Sequence, residues 1–155
     1  DTIVNIFSKQ AYFDHEITVF DGTQYRSNIH VRDIAELYGL LLEAPARKIN
    51  GQVFNALKEY KSALDIAHQV QFAATTFGFS TDIRVDARKR DTRQYRMDGS
   101  KARRMLDWSP SLSMHQAALD NFAWFKAGGI SKPDDDIYYN TRRMRDVVAK
   151  GQSRI

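Results

Sequence analysis

The stretch ITVFDGTQYRSNIHVRDIAELYGLLLEAP, Ile17 to Pro45, switches its hydrophobic period from two to about 3.6 within one uninterrupted run. Glu16–Phe20 is β-branched and alternating, Asp21-Gly22-Thr23 supplies a turn, and Gln24–Val31 reads as a second short strand, so a hairpin is expected. Asp33, with Glu36 three residues on, then opens a helix. Ile34, Leu37, Tyr38, Leu41 and Leu42 form its apolar stripe, and Pro45 ends it. Strand, turn, strand and helix in this order mark an α/β chain.

The flanks extend that pattern. Upstream, Ile3, Ile6, Phe7 and Gln10-Ala11 recur at helical spacing, which predicts a helix ending near Asp14. Downstream, Gly51–Leu57 (GQVFNAL) is a short apolar run suited to a buried strand. Ala63, Ile66, Ala67, Val70, Ala74 and Phe77 mark a helix that Gly78 stops. TDIRVDA, Thr81 to Ala87, reads as a strand, and Ser100 caps a short helix ending at Trp108-Ser109-Pro110. Ser111–Gly129 is a further helix with a Ser113/Gln116 capping box. Strands and helices alternate without an internal repeat, so residues 1–128 are expected to form one α/β unit. Residues 129–155 are a polar, basic tail with a weak helical stretch.

Composition narrows the function classes. The 155 residues are 43% hydrophobic and 12% aromatic, enough for a real core and against disorder. No apolar run approaches the ~18–20 residues of a membrane span, and no secretory pattern opens the chain, which is expected to be cytoplasmic. There is no cysteine, hence no disulfide or thiolate chemistry. His15, His30, His68 and His115 lack metal-ligand spacing, so no metal site is expected. A net charge of +4 and a pI near 9.4 favour anionic partners without selecting one. The chain begins at Asp1 with an amphipathic segment already under way, as expected for part of something longer.

The cations concentrate in RVDARKRDTRQYRMDGSKARRMLDWSP, Arg84 to Pro110. A charge run is ordinarily a solvated face. A nucleic-acid surface avoids acids, which repel backbone phosphates, yet Asp86, Asp91 and Asp98 interrupt this one. A nucleotide site wants both signs: cations for a diphosphate, carboxylates for hydroxyls, an aromatic for the pocket wall. Arg26 carries the same double reading, as an exposed strand arginine or as an anion clamp that grips two phosphate oxygens. His30, in an apolar strand, reads as structural. Glycine-rich phosphate cradles, Walker loops and nucleophile elbows are absent from the sequence.

Two stretches together resemble the NAD-dependent nucleotide-sugar epimerase/dehydratase family, the extended short-chain dehydrogenases. The first is Ile17–Pro45 followed by GQVFNAL, matching an apolar strand, a glycine-containing turn, an arginine, I-H-V-x-D leading into a helix, and a later F-N. The second is Arg88, Asp91, Tyr95, Asp98, Ser100-Lys101-Ala102, Leu106, Trp108 and Pro110, matching R-x-x-D, a following Tyr, D-x-S-K-A and L-x-W-x-P. The chain departs from the pattern at Ser27-Asn28, at Ala56 after F-N and at Asp107.

The resemblance implies the C-terminal part of a Rossmann-type enzyme, with late sheet strand(s) plus the small substrate-binding lobe. It implies that VFNAL is the late strand and that Asp33 caps the helix before it. It further implies that Arg26 and Arg88 bind the diphosphate of a nucleotide-diphosphate sugar, and that Asp91 takes a ribose hydroxyl. Tyr95 lines the same pocket, and Thr18, Val19 and Phe20 lie along the base. NAD or NADP serves the parent enzyme. Its glycine-rich loop and catalytic Tyr-x-x-x-Lys are not in these residues, so no catalytic or cofactor-binding residue is assigned. The expected partners are the missing N-terminal half or a separate cofactor-binding chain, with a homodimer also open. Two alternatives stand beside this reading: a basic nucleic-acid-binding module, and a non-catalytic partner that completes another chain's small lobe.

Overall fold

The computed structural model describes residues 2–88 and 95–152. The chain opens with α1 (Ile3–Lys9), which runs without a break into a π-helical turn, Gln10–Asp14, and stops at His15 in the left-handed conformation. β1 (Glu16–Phe20) and β2 (Tyr25–Asn28) follow, then α2 (Val31–Glu43), the single turn α3 (Ala46–Ile49), β3 (Glu59–Ser62) and α4 (Ala63–Thr76). β4 (Asp82–Asp86), α5 (Ser100–Leu106) and α6 (Met114–Lys126) complete the α/β unit. A 3₁₀ turn at Asp136–Tyr138 and α7 (Asn140–Gln152) form the tail.

The expected hairpin does not form. β1 pairs in parallel with β4, Thr18 opposite Arg84 and Phe20 opposite Asp86, while β2 pairs antiparallel with β3. Asp21 and Gly22 both have positive φ, and the chain leaves β1 toward α4: Leu64 N–H donates to Gly22 O (3.2 Å) and Ala63 N–H to Gln24 O (3.1 Å). The turn is thus held against the start of a helix, away from the first strand. β3 is a strand that the polar KEYKS segment does not advertise. Conversely, Gln52–Leu57 carries no strand pairing, with Val53 exposed, because no neighbouring strand lies beside it among the described residues.

α1, α4 and α6 enclose the main core with β1. Val4, Phe7, Ala11, Ile17, Val19, Ile66, Val70 and Phe122 are all buried there, and Phe122 contacts the rings of Tyr12, Phe77, Phe79 and Phe125. Alanines on α4 (Ala63, Ala67, Ala73, Ala74) let these elements approach closely. A second, smaller cluster of Leu37, Ala102 and Trp108 joins α2 to α5. The stripe predicted on α2 therefore divides: Leu37 is buried, whereas Tyr38 and Leu42 stand exposed on another face, Leu42 by 88%, together with Val31 from outside the stripe.

Capping also differs from expectation. His30 is the N-cap of α2, its Nδ1 accepting from Arg32 N–H (3.1 Å), and its Nε2 lies 3.2 Å from Asp120 of α6. Arg32 pairs with the same carboxylate. Asp33 does not cap. It is buried inside the first turn and accepts from Ser111 N–H, Ser111 O–H and Leu112 N–H (3.0, 3.2 and 3.0 Å), tying α2 to the approach to α6. Ser100 does not cap α5 but is its first residue; the N-cap is Gly99, without a side-chain cap bond, and Asp98 just before it accepts from Ser100 N–H at 2.8 Å. Ser113 caps α6, but the Gln116 amide donates to Asp120 instead of closing the box. Among the described residues no helix is long and apolar enough to cross a membrane. Nor do three or more metal-ligating side chains gather there.

Candidate functional site

A cavity of about 550 Å³ opens where β1, β2 and α1 meet. Thr18 and Phe20 reach it because alternate β1 side chains point away from the core; Ile17 and Val19 point inward and are fully buried. Arg26 and Asn28 enter from β2, and Ile3, Ile6 and Gln10 close the helical side. Tyr95 forms part of the rim, its neighbour Met97 tethered to β2 by donating its N–H to Ser27 Oγ (3.2 Å).

The cation at this site is Arg26. Its guanidinium carbon lies 5.5 Å from the centre of the Tyr95 ring, and its Nη1 donates to Tyr25 O (2.9 Å). A cation–π contact with an aromatic face limits the directions in which the planar guanidinium fork can point. Thr18 is held from two sides: its N–H donates to Gln10 Oε1 (3.2 Å), and its hydroxyl accepts from Arg84 Nη2 (2.8 Å). Arg84 also pairs with Glu16 (2.9 Å), so β1 and β4 share an ion pair beside their backbone ladder.

Gln24 is a lining residue that the sequence reading did not single out. Its Nε2 donates to Phe20 O (3.0 Å), while its buried Oε1 has no hydrogen-bond partner among the described residues. A buried carbonyl left unpaired costs on the order of 1–3 kcal/mol. Gln10, Ser27 and Asn28 were likewise missed, since neither a glutamine at a helix end nor two small polar residues in a strand carry a sequence signal.

The structure therefore brings together Thr18, Phe20, Arg26 and Tyr95. Val19 has its side chain in the core and is not among the cavity's walls. Arg88 stands apart: it is 86% exposed and grips Asp86 through two hydrogen bonds of 2.9 Å. Those bonds hold the Asp86 carboxyl far below the usual carboxylate range. Asp91 lies outside the described residues.

At the start of α4 the residues present leave no seat for a pyrophosphate. The strand-to-helix junction at Ser62–Ala63 is closed by a reciprocal cap, Ser62 Oγ accepting from Asp65 N–H (3.0 Å) and the Asp65 carboxylate accepting from Ser62 N–H (3.1 Å). A carboxylate thus occupies the place where a pyrophosphate would meet a helix N-terminus.

No protein-family model matches the chain. Solved structures do. The UDP-glucuronic acid 4-epimerase from Bacillus cereus, solved with UDP-glucuronic acid and NAD, shares 28% identity at a TM-score of 0.67 over 82% of this chain and 40% of its own. The UDP-N-acetylglucosamine 4-epimerase from Bacillus cereus matches at 20% identity and TM-score 0.67, covering 85% and 42%. The UDP-glucose 4-epimerase from Bifidobacterium longum, solved with NAD+ and UDP, matches at 20% and 0.65, covering 83% and 40%. The chain spans about two fifths of the length of these structures. In fold and in element order, it corresponds to the C-terminal part of the Rossmann-type, NAD-dependent nucleotide-sugar epimerases of the extended short-chain dehydrogenase/reductase family.

Proposed function

We propose that these residues form the substrate-binding part of a cytoplasmic NAD(P)-dependent nucleotide-sugar epimerase, dehydratase or reductase, and that the cavity around Arg26 receives the nucleotide diphosphate. The observation that carries this reading is the convergence of Arg26, Tyr95, Thr18 and Phe20 on one cavity beside the unpaired Gln24 carbonyl. Arg26 grips a phosphate, and Thr18 and Phe20 of β1 line the base. Arg88 joins by exchanging Asp86 for a second phosphate, and Asp91 takes a ribose hydroxyl. The chain supplies binding and orientation.

Oxidation of a sugar carbon to a ketone by bound NAD(P), and the step that follows it, belong to the whole protein. The exposed Val31, Tyr38 and Leu42 face of α2 is the surface against which a cofactor-binding part packs. A basic nucleic-acid surface fits less well, because Arg84 and Arg88 are each paired with an acid. Calorimetric titration with UDP and with UDP-glucuronic acid tests the reading: Arg26→Ala should weaken both. Unchanged affinity in that variant overturns the site.

A further inference from the structure

A second cavity, of about 390 Å³, lies on the other side of α1. Ile6, Lys9, Trp124, Phe125, Pro133 and Tyr139 are among its walls, so helices of the main unit supply one side and the tail supplies the other. Lys9 clasps the two. Its Nζ donates to Asp134 Oδ1 (2.6 Å) and to the Tyr139 hydroxyl (2.7 Å), and Arg142 lies over the far side of the clasp, 4.2 Å from the Tyr139 ring centre. Partial burial opposes the charge on Lys9, but the Asp134 and Tyr139 bonds outweigh it and hold the ammonium above its ordinary value.

Trp124 is half-exposed, and its indole packs directly against the backbone of Gly129, where a Cβ would overlap the ring. Glycine at 129 thereby lets a large aromatic face line the cavity. A half-open, mostly apolar space with aromatic walls and one positioned cation has the make-up of a small-molecule site. Lys9 already holds a carboxylate, that of the exposed Asp134 next to the cavity wall residue Pro133.

We propose that this cavity binds a small aromatic carboxylate, its ring against Trp124 and its carboxylate on Lys9 in place of Asp134. The site is separate from the diphosphate cavity and does not rest on the function proposed for it. It shares with that cavity only the wall made by Ile6 and Gln10.

The test is a two-dimensional NMR titration of the full chain with 3-phenylpropanoate and with its neutral counterpart 3-phenylpropan-1-ol. The readout is the indole N–H signals of Trp124 and Trp108, assigned with Trp124→Phe. The Trp124 signal should move saturably while buried Trp108 stays still, and the acid should bind roughly tenfold or more tightly than the alcohol. Lys9→Gln should abolish that preference and Lys9→Arg should keep it. Asp134→Asn, which removes the internal competitor, should tighten the acid. The inference is overturned if Trp124 does not respond saturably, if acid and alcohol bind alike, or if Asp134→Asn weakens the acid.

Discussion

Arg26 and Tyr95 belong to distant parts of the chain, yet the guanidinium carbon of one lies 5.5 Å from the ring centre of the other. The contact joins the strand after the glycine turn to the cationic stretch Arg84–Pro110, the two stretches whose order carries the family resemblance.

Arg26→Ala should reduce nucleotide-diphosphate affinity by about 1.5–3 kcal/mol, measured by calorimetry, since a charge-assisted phosphate contact is lost. Arg26→Lys should recover only part of it, because an ammonium grips one oxygen where a guanidinium grips two. Tyr95→Phe should bind nearly as well as the parent, whereas Tyr95→Leu should lose about 0.5–1 kcal/mol through the stacking contact.

Asp33→Ala should destabilise the fold by about 1–3 kcal/mol in urea unfolding, because Ser111 and Leu112 N–H groups lose their acceptor in a buried place. A capping role would predict an effect confined to the start of α2. The distinguishing sign is faster amide hydrogen exchange at Ser111 and Leu112.

Much of this was legible in local pattern. α1, α4, α6 and β1 have the periods that a buried face imposes, and each lies close to its expected place, as does β4, whose alternation is legible although Val85 stands exposed. What was not legible depends on partners far along the chain. Asp33 reads as a cap because the residues that use its carboxylate follow 78 and 79 positions later. VFNAL is apolar enough for a strand, but a strand also needs a neighbour, and β3 forms from polar residues because β2 lies beside it. For the site, Arg26, Thr18, Phe20 and Tyr95 are named only through the family resemblance, while Gln24 is found only by its unpaired buried oxygen.

Phe122→Ala should cost about 3–5 kcal/mol, a large share of a small domain's stability, since Phe122 is fully buried among other aromatic rings. Thermal unfolding should then begin near ambient temperature, while Phe122→Leu keeps a cooperative transition.

The Asp65 cap has a signed pH dependence. Hydrogen bonds from the Ser62 side chain and backbone lower the Asp65 pKa below its ordinary value of 3.8. The folded pKa therefore lies below the unfolded one, so the cap's charge-dependent stability is present above the unfolded value and lost as pH falls through the folded one. Asp65→Asn should cost about 0.5–1 kcal/mol at neutral pH, and the deficit should shrink below pH ~3 in paired urea titrations. A deficit independent of pH would mean that the amide replaces the carboxylate fully.

The central claim is that the cavity between β1, β2 and α1 takes a nucleotide diphosphate. Backbone-amide NMR during a titration with UDP tests it most directly. The account predicts saturable shifts at Thr18, Phe20, Gln24, Arg26 and Tyr95, lost in Arg26→Ala, with Trp124 unmoved. Shifts confined to the Lys9 and Trp124 cavity, or saturable binding that survives Arg26→Ala unchanged, would contradict it.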